Sequence, residues 1–453
     1  MADPSDTAPV EQKYDLLSPS FFADPHPVFH RMRSEDPVYF HPVLRHWVLT
    51  RYEDIQTLGR DARFSAQRSA QFAVGLPPEV MPKFAEIFGF LSHWLTLLDP
   101  PRHTVLRSLV SKAFTPQSID ALAPSVRQIV DEMLDGVVET GEMDLIRDLA
   151  FPLPALVIAK MLGVPREQLD VFKGHTDGLF LLIGAGIATV EAVDAAHRGV
   201  LGLQSMLSEI VEARRREPKD DLISRLLAVE DEGVALQAQE LMSMCALLLV
   251  AGHETTTHQI GNAVIALLEH PAELAKLKAD PSLMEGAVEE LLRYDGPVMM
   301  LSRRATEAIE IGGKRIAEGD IVVGFIHAGN RDPAVFEDPD RLDVTRRGVR
   351  SLSFGHGIHY CIGAALARLE ARIALGEALR RLPGLRLATE SAERLPNLMI
   401  RGVAALPVRF DLSDGAPSSR SGRASWTGPA SVRAPLSQRA PVSVPLPPLV
   451  PQS

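Results

Sequence analysis

The chain has 453 residues, 46% hydrophobic and 23% charged, with a formal net charge of -11. This is an ordinary globular composition, long enough to bury a large core without disulfide or metal staples, and its acidity argues against a nucleic-acid or anionic-membrane partner. Two cysteines, Cys245 and Cys361, exclude a disulfide framework and a CxxC zinc site.

The N-terminus has neither the basic nor the apolar region of a signal peptide. The most apolar stretches, 179–190 and 241–252, are about a dozen residues long against the roughly 20 that a membrane helix needs. The reading is therefore cytoplasmic, with no membrane association. Residues 1–14 are expected to be flexible, 15–412 to form one domain and 413–453 to be a disordered tail. From Gly415 the tail holds no acid, only Arg420, Arg423, Arg433 and Arg439 among many Ser and Pro. A functionless extension is the plain reading of it; a basic docking arm is the sharper one.

Along the body, 46–49 reads as a strand within 40–50, and 54–59 turns helical. Pro101 suits a first helical turn, with Val105, Leu106, Leu109 and Val110 as the apolar face. Helices are predicted over 125–139, 145–162 and 199–216. Residues 240–269 are apolar on most sides, which predicts a buried central helix. Helices at 272–279 and 283–294 follow. The period then changes, and 309–311, 314–316 and 320–325 read as short strands with Gly turns between them. Residues 330–346 predict an irregular loop, 361–382 a helix closed by Pro383-Gly384, and 395–410 strand-like pieces. The fold class is mainly α with a minor β-sheet portion.

The segment Phe354-Gly355-His356-Gly357-Ile358-His359-Tyr360-Cys361-Ile362-Gly363 is the most informative. A glycine-rich loop places Cys361 at the expected helix start, where free N–H groups and the helix dipole favour a thiolate. Glycines there let a flat ligand approach the backbone. The plain alternative is an inert buried thiol. The segment resembles the haem loop Phe-x-x-Gly-x-x-x-Cys-x-Gly of the cytochromes P450, with Phe354, Gly357, Cys361 and Gly363 at the family's spacings. The resemblance implies haem b bound between the central helix and the Cys-loop helix. Cys361 would be its axial ligand, with Phe354, Gly355, His359 and Gly363 beside it.

Ala251-Gly252-His253-Glu254-Thr255-Thr256 is similar to the family's oxygen-activation segment. Small Ala251 and Gly252 make room beside the helix, and Thr255 with Glu254 can order water and deliver protons. These two are the expected catalytic residues. Purely local hydrogen bonding by Thr and Glu is the rival reading. The zinc motif H-E-x-x-H fails here, because His258 sits five residues after His253 rather than four. Gly184-Ala185-Gly186 hints at a dinucleotide loop but lacks the rest of the motif.

Glu290 and Arg293 share a helix face at the family's E-x-x-R spacing. The resemblance makes Arg341 the third member of a structural network with them. It also makes His103, Arg107, Arg303 and His359 cationic partners of the haem carboxylates, with Arg304 the alternative to Arg303. Leu247, Val250, Ala251, Met299, Leu301, Leu398 and Met399 are expected to line the substrate pocket. Their apolar character predicts a bulky hydrophobic substrate. A lid is expected within 172–200, where glycines recur.

The implied function is a haem-thiolate monooxygenase. It would insert one atom of dioxygen into a C–H or C=C bond, with NAD(P)H electrons reaching it through a ferredoxin reductase and a ferredoxin. Arg102, Lys112, Arg368 and Arg372 are candidate ferredoxin contacts on the Cys361 face, or else ordinary solvated side chains. A monomer is expected. The rivals are a peroxide-driven haem peroxygenase, disfavoured by the Glu254-Thr255 pair, and a haem-binding sensor without turnover.

Overall fold

The computed structural model describes residues 12–69, 73, 76–184, 188–231 and 237–412. The predicted tail, most of the N-terminal arm and Gly186 lie outside the described residues. Packing begins earlier than expected. Tyr14 is buried, and its hydroxyl donates to Glu35 and Asp36.

The central helix spans Ala238–Glu269. A capping box starts it, with Gln237 and Glu240 satisfying each other's backbone N–H groups. Its two ends belong to different cores. Leu241 to Val250 pack with helices Met81–Leu91, Arg102–Ser111, Leu169–Gly184 and Val190–Arg216. Ile260 to Leu267 pack with Ala123–Asp135, Pro152–Leu162, Met284–Asp295 and Ala364–Arg381. Residues 251–259 form the seam between them.

Among the described residues ten short strands make three sheets. They are β1 (Val38–His41), β2 (His46–Leu49), β3 (Phe64–Ser65), β4 (Glu142–Asp144), β5 (Met300–Ala305), β6 (Ile309–Ile311), β7 (Lys314–Ile316), β8 (Ile321–Phe325), β9 (Arg386–Leu387) and β10 (Pro407–Arg409). The largest sheet has the order β1-β2-β8-β5-β3. Its β2 and β8 run parallel, with Trp47 opposite Val322, and its other pairs are antiparallel. The small sheets are β4-β10-β9 and β6-β7.

The predicted 145–162 helix is interrupted. A π-turn at Ile146–Ala150 precedes the α-helix Pro152–Leu162, where the prolines at 152 and 154 suit a new first turn. The predicted 361–382 helix starts three residues late, at Ala364, with Gly363 as its N-cap.

Candidate active site

Cys361 stands in the loop ahead of that helix. Gly355 and Gly357 both adopt left-handed backbone, φ +71 and +70. A Cβ on Gly357 would lie 2.3 Å from the Gly59 carbonyl oxygen, so this glycine lets the loop press against helix Tyr52–Arg60. The close approach is therefore chain to chain at Gly357. The Cys361 N–H donates to the Phe354 carbonyl at 2.8 Å, closing the loop. Burial pushes the Cys361 thiol up, while the Gly363 N–H and the Arg107 and Arg368 guanidiniums pull it down. The helix begins three residues after Cys361, so the thiol is not at its first turn as expected. Cys245, sealed in apolar core, is pushed up to about 12.

Basic side chains gather at one edge. His103 is 2% exposed, and neither ring nitrogen has a hydrogen-bond partner. Its ring lies 4.4 Å from that of His359. Arg303 is 8% exposed; burial lowers it to about 10, with Asp99 opposing. Arg304 instead turns outward to the Gln67 carbonyl, so Arg303 is the inward member of the pair. Burial lowers His359 to about 3, helped by Arg303, His103, Arg68 and Arg107.

Arg68 belongs to this cluster and escaped the sequence reading. Its Nη1 donates to the Ala66 and Thr96 carbonyls, its Nε is buried without a partner, and burial beside Arg303 lowers it to about 9. No family spacing marks it; only its position after β3 brings it here. Arg107 donates to the Tyr360 carbonyl at 2.6 Å and so reaches the Cys loop. Asp99 is the acid that opposes Arg68, Arg303 and His103, and it is committed to Ser65 and the Ala66 N–H. The buried arginines need an anion, and the unpartnered His103 nitrogens need a hydrogen-bond partner. Two carboxylates, as haem carries, fit this edge.

On the seam of the central helix, Ala251 is exposed although Leu249 and Val250 before it are buried. A Cβ on Gly252 would meet Ile158 at 3.3 Å, so this glycine serves helix packing rather than ligand room. The Thr255 hydroxyl donates to the Ala251 carbonyl at 3.0 Å. Glu254 faces His258 and His253, at 3.2 and 3.4 Å, and not Thr255. Adjacent helical residues leave the helix about 100° apart, and the Glu254 carboxylate is drawn further to the His258 side by the 3.2 Å contact. Glu370, on helix Ala364–Arg381, lies beside Thr256; neither carboxyl oxygen has a partner of hydrogen-bonding geometry, and burial raises it to about 8.

The expected pocket residues divide. Leu247 and Val250 lie in the core shared with helices Leu169–Gly184 and Val190–Arg216. Leu301 packs on the sheet core near Ile55 and Leu58. Met299 and Leu398 are a correction: both are buried in the N-terminal cluster of Phe21, Phe29 and Phe325. The Met299 N–H donates to the Met399 carbonyl, and its own carbonyl accepts from Ile326, which fixes the side chain on that side. Met399 is half-buried.

The network below the loop is complete but has a different third member. Arg293 grips Glu290 with two bonds, of 2.7 and 2.8 Å, and both side chains are fully buried. Arg346 donates to Glu290 at 3.1 Å. Arg341 offers only its backbone carbonyl, to Arg293 at 3.1 Å, while its side chain turns out to Asp343. The left-handed turn at Asp338, φ +44, precedes this carbonyl-inward geometry. From Arg293 the bonds run on to the Asn330 carbonyl, from Asn330 to Ser353 and from Ser353 to Leu292. A second cluster also went unread: Asp295 accepts from Arg394 at 2.7 Å and Arg401 at 2.5 Å. Of the candidate docking cations, Arg102 pairs with Glu240 and Arg368 with Glu289, while Lys112 and Arg372 are exposed.

Comparison with known proteins gives a consistent result. The cytochrome P450 family model matches residues 196–394. Cytochrome P450 107B1 of Saccharopolyspora erythraea is 42% identical over 406 residues, covering 87% of this chain and 98% of that relative. The vitamin D(3) 25-hydroxylase of Pseudonocardia autotrophica is 40% identical, covering 81% and 88%. The crystal structure of the myxobacterial cytochrome P450 CYP267B1 with myristic acid superposes with a TM-score of 0.80 at 40% identity, covering 87% of this chain and 98% of that one. No helix among the described residues is long and apolar enough to cross a membrane.

Proposed function

The chain belongs to the cytochrome P450 family and is a haem-thiolate oxidoreductase of its monooxygenase class, and we propose that it oxygenates a bulky hydrophobic small molecule of the fatty-acid or sterol type. The observation that carries the site assignment is the cation-rich edge, with the unpartnered His103 nitrogens and Arg68 Nε beside the Cys361 loop.

Cys361 would hold the iron, and Arg68, His103, Arg303 and His359 the two carboxylates. Bound there, haem supplies an iron atom that takes up dioxygen and splits it reductively. The rest falls to the chain. Thr255 holds a hydroxyl proton at the seam, and Glu254, a carboxylate at rest, would relay a proton from solvent to it after turning from His258. Exposed Ala251, backed by Leu247 and Val250 of the apolar core, would give the apolar wall that excludes bulk water. The Glu290–Arg293–Arg346 network fixes the loop that carries the thiolate.

Electrons are proposed to arrive from NAD(P)H through a ferredoxin reductase and ferredoxin. The exposed cations Lys112 and Arg372 and the half-buried Arg368 support an acidic partner on the Cys361 face. The ferrous–carbon monoxide difference spectrum tests the ligand set. A strongly red-shifted Soret band is expected; a short-wavelength band in freshly loaded protein overturns Cys361 as ligand. Myristic acid and a sterol, added in turn, should shift the ferric spin state; a shift with neither overturns the substrate class.

A further inference from the structure

Glu254 lies between two imidazoles of its own helix, and they do not treat it alike. His253 Nδ1 is 2.7 Å from the Leu249 carbonyl oxygen. A carbonyl only accepts, so this nitrogen carries the ring's proton. Burial lowers His253, which keeps it neutral. Its Nε2 is therefore bare, and it faces the Glu254 Oε2 at 3.4 Å without a hydrogen to offer. Three aromatic rings, Phe151, Phe172 and Phe180, stand edge-on around it and add no donor.

His258 is on the other side, one turn along the helix. Its Nε2 is 3.2 Å from Glu254 Oε1, and its Nδ1 is buried with no partner. The tautomer that satisfies the carboxylate puts the proton on Nε2. The ring is also fixed by shape: a Cβ on Gly402 would lie 2.1 Å from Nδ1, so the imidazole fills the space that glycine leaves. Burial pushes Glu254 up, yet the His258 bond, with Lys173 acting at longer range, brings it well below the usual carboxylate range. Lys173 and Asp177, from helix Leu169–Gly184, are the other charged groups acting on this cluster. Arg401, next to Gly402, is committed to Asp295.

We propose that His258 is a positioning residue for the Glu254 acid, its Nε2–H holding the carboxylate turned from Thr255 so that proton delivery waits on breaking that one hydrogen bond. The proposal rests on the monooxygenase reading above, but it concerns a residue that no family motif marks. It predicts that His258 sets the pH range in which the acid works.

The test uses haem-loaded protein with NADH, a ferredoxin reductase and a ferredoxin. It follows NADH oxidation and hydrogen peroxide release from pH 5 to 9, which requires no knowledge of the native substrate. Wild type, whose carboxylate the His258 bond holds well below this range, should show no Glu254 limb in it; His258→Phe should bring such a limb into the acid end of the window, because the carboxylate loses its donor and burial then pushes it up. His258→Gln, which restores an N–H, should return the profile to that of wild type. Glu254→Gln in the His258→Phe background should abolish the new limb. Gly402→Ala, which displaces the imidazole without replacing it, should reproduce the limb and covers the case in which His258→Phe folds poorly. Superimposable profiles for wild type, His258→Phe and Gly402→Ala overturn the proposal. Failure of the wild type itself to consume NADH and dioxygen overturns the monooxygenase reading instead.

Discussion

The Cys361 loop hangs from directional contacts, whereas the helices over the opposite end of the central helix hold each other by shape. Beneath the loop, Glu290, Arg293 and Arg346 are joined by charge-assisted bonds, and the chain of donors continues through Asn330 to Ser353. Helices Leu169–Gly184 and Val190–Arg216 instead touch backbone to backbone. A Cβ on Gly178 would fall 2.5 Å from the Ala195 carbonyl oxygen, and one on Gly199 2.1 Å from the His175 carbonyl oxygen. Their polar ties to helix Met81–Leu91 are solvent-facing pairs, Lys83–Asp194 and His197–Glu86. Directional bonds fix one geometry, because a buried ionic group has no second partner to turn to. Shape contacts keep the two helices together as one body over an apolar floor.

The comparison breaks first at Glu290. Glu290→Ala strands two arginines and should cost about 3–5 kcal/mol, read by urea unfolding. Arg346→Ala should fall in the same direction, while Arg341→Ala, on a side chain 64% exposed, should cost no more than about 1 kcal/mol. Equal costs for the two arginines would undo the reassignment. Next, Gly199→Ala should force these two helices apart, at about 1–3 kcal/mol and with weaker spin-state binding of myristic acid. Gly174→Ala, where an added Cβ meets nothing within 4 Å, is the control and should be neutral or slightly stabilising.

A smaller effect sharpens the comparison by pH. Glu370 has its folded pKa raised to about 8 from 4.5, so the fold favours its protonated form. Its stabilising contribution is present below pH 4.5 and is lost as pH rises toward 8. Glu370→Gln should therefore gain on wild type progressively across that window, measured as the difference in urea midpoints. A constant difference from pH 4.5 to 8 would show that the carboxyl is not held protonated. The smallest effect belongs to the surface. Lys83→Ala should change stability by no more than about 0.5 kcal/mol, and that change should vanish in high salt.

The sequence made the central helix, the Cys361 loop and β6 to β8 readable, because each combines a strong period with glycine punctuation. The glycine-rich loop puts Cys361 at the expected start of the 361–382 helix, but Gly363 supplies the cap and the helix begins at Ala364. His103, Arg303 and His359, which family spacing singles out, are brought to one edge by the fold. Arg68 was not legible, since nothing local distinguishes it from any loop arginine until the fold brings it to Arg303. Arg341 was misread for a related reason: spacing identifies the loop but not which of its arginines turns inward, and that is decided by backbone carbonyls seeking donors. Met299 and Leu398 are apolar on either reading, and only the pairing of residue 299 with residue 399 decides which core they enter.

The parallel pairing of β2 with β8 sets a schedule for the ribosome. Trp47 finds its strand partner at Val322, about 275 residues later. At about 5–20 residues per second, the hairpin of β1 and β2 waits roughly 14 to 55 seconds for the strand beside it. Arg68 and His103 emerge early in that interval and the Cys361 loop only after it. The two walls of the cofactor site are thus made at opposite ends of synthesis, and a nascent chain can offer haem a complete binding edge only when nearly all of the body has been translated.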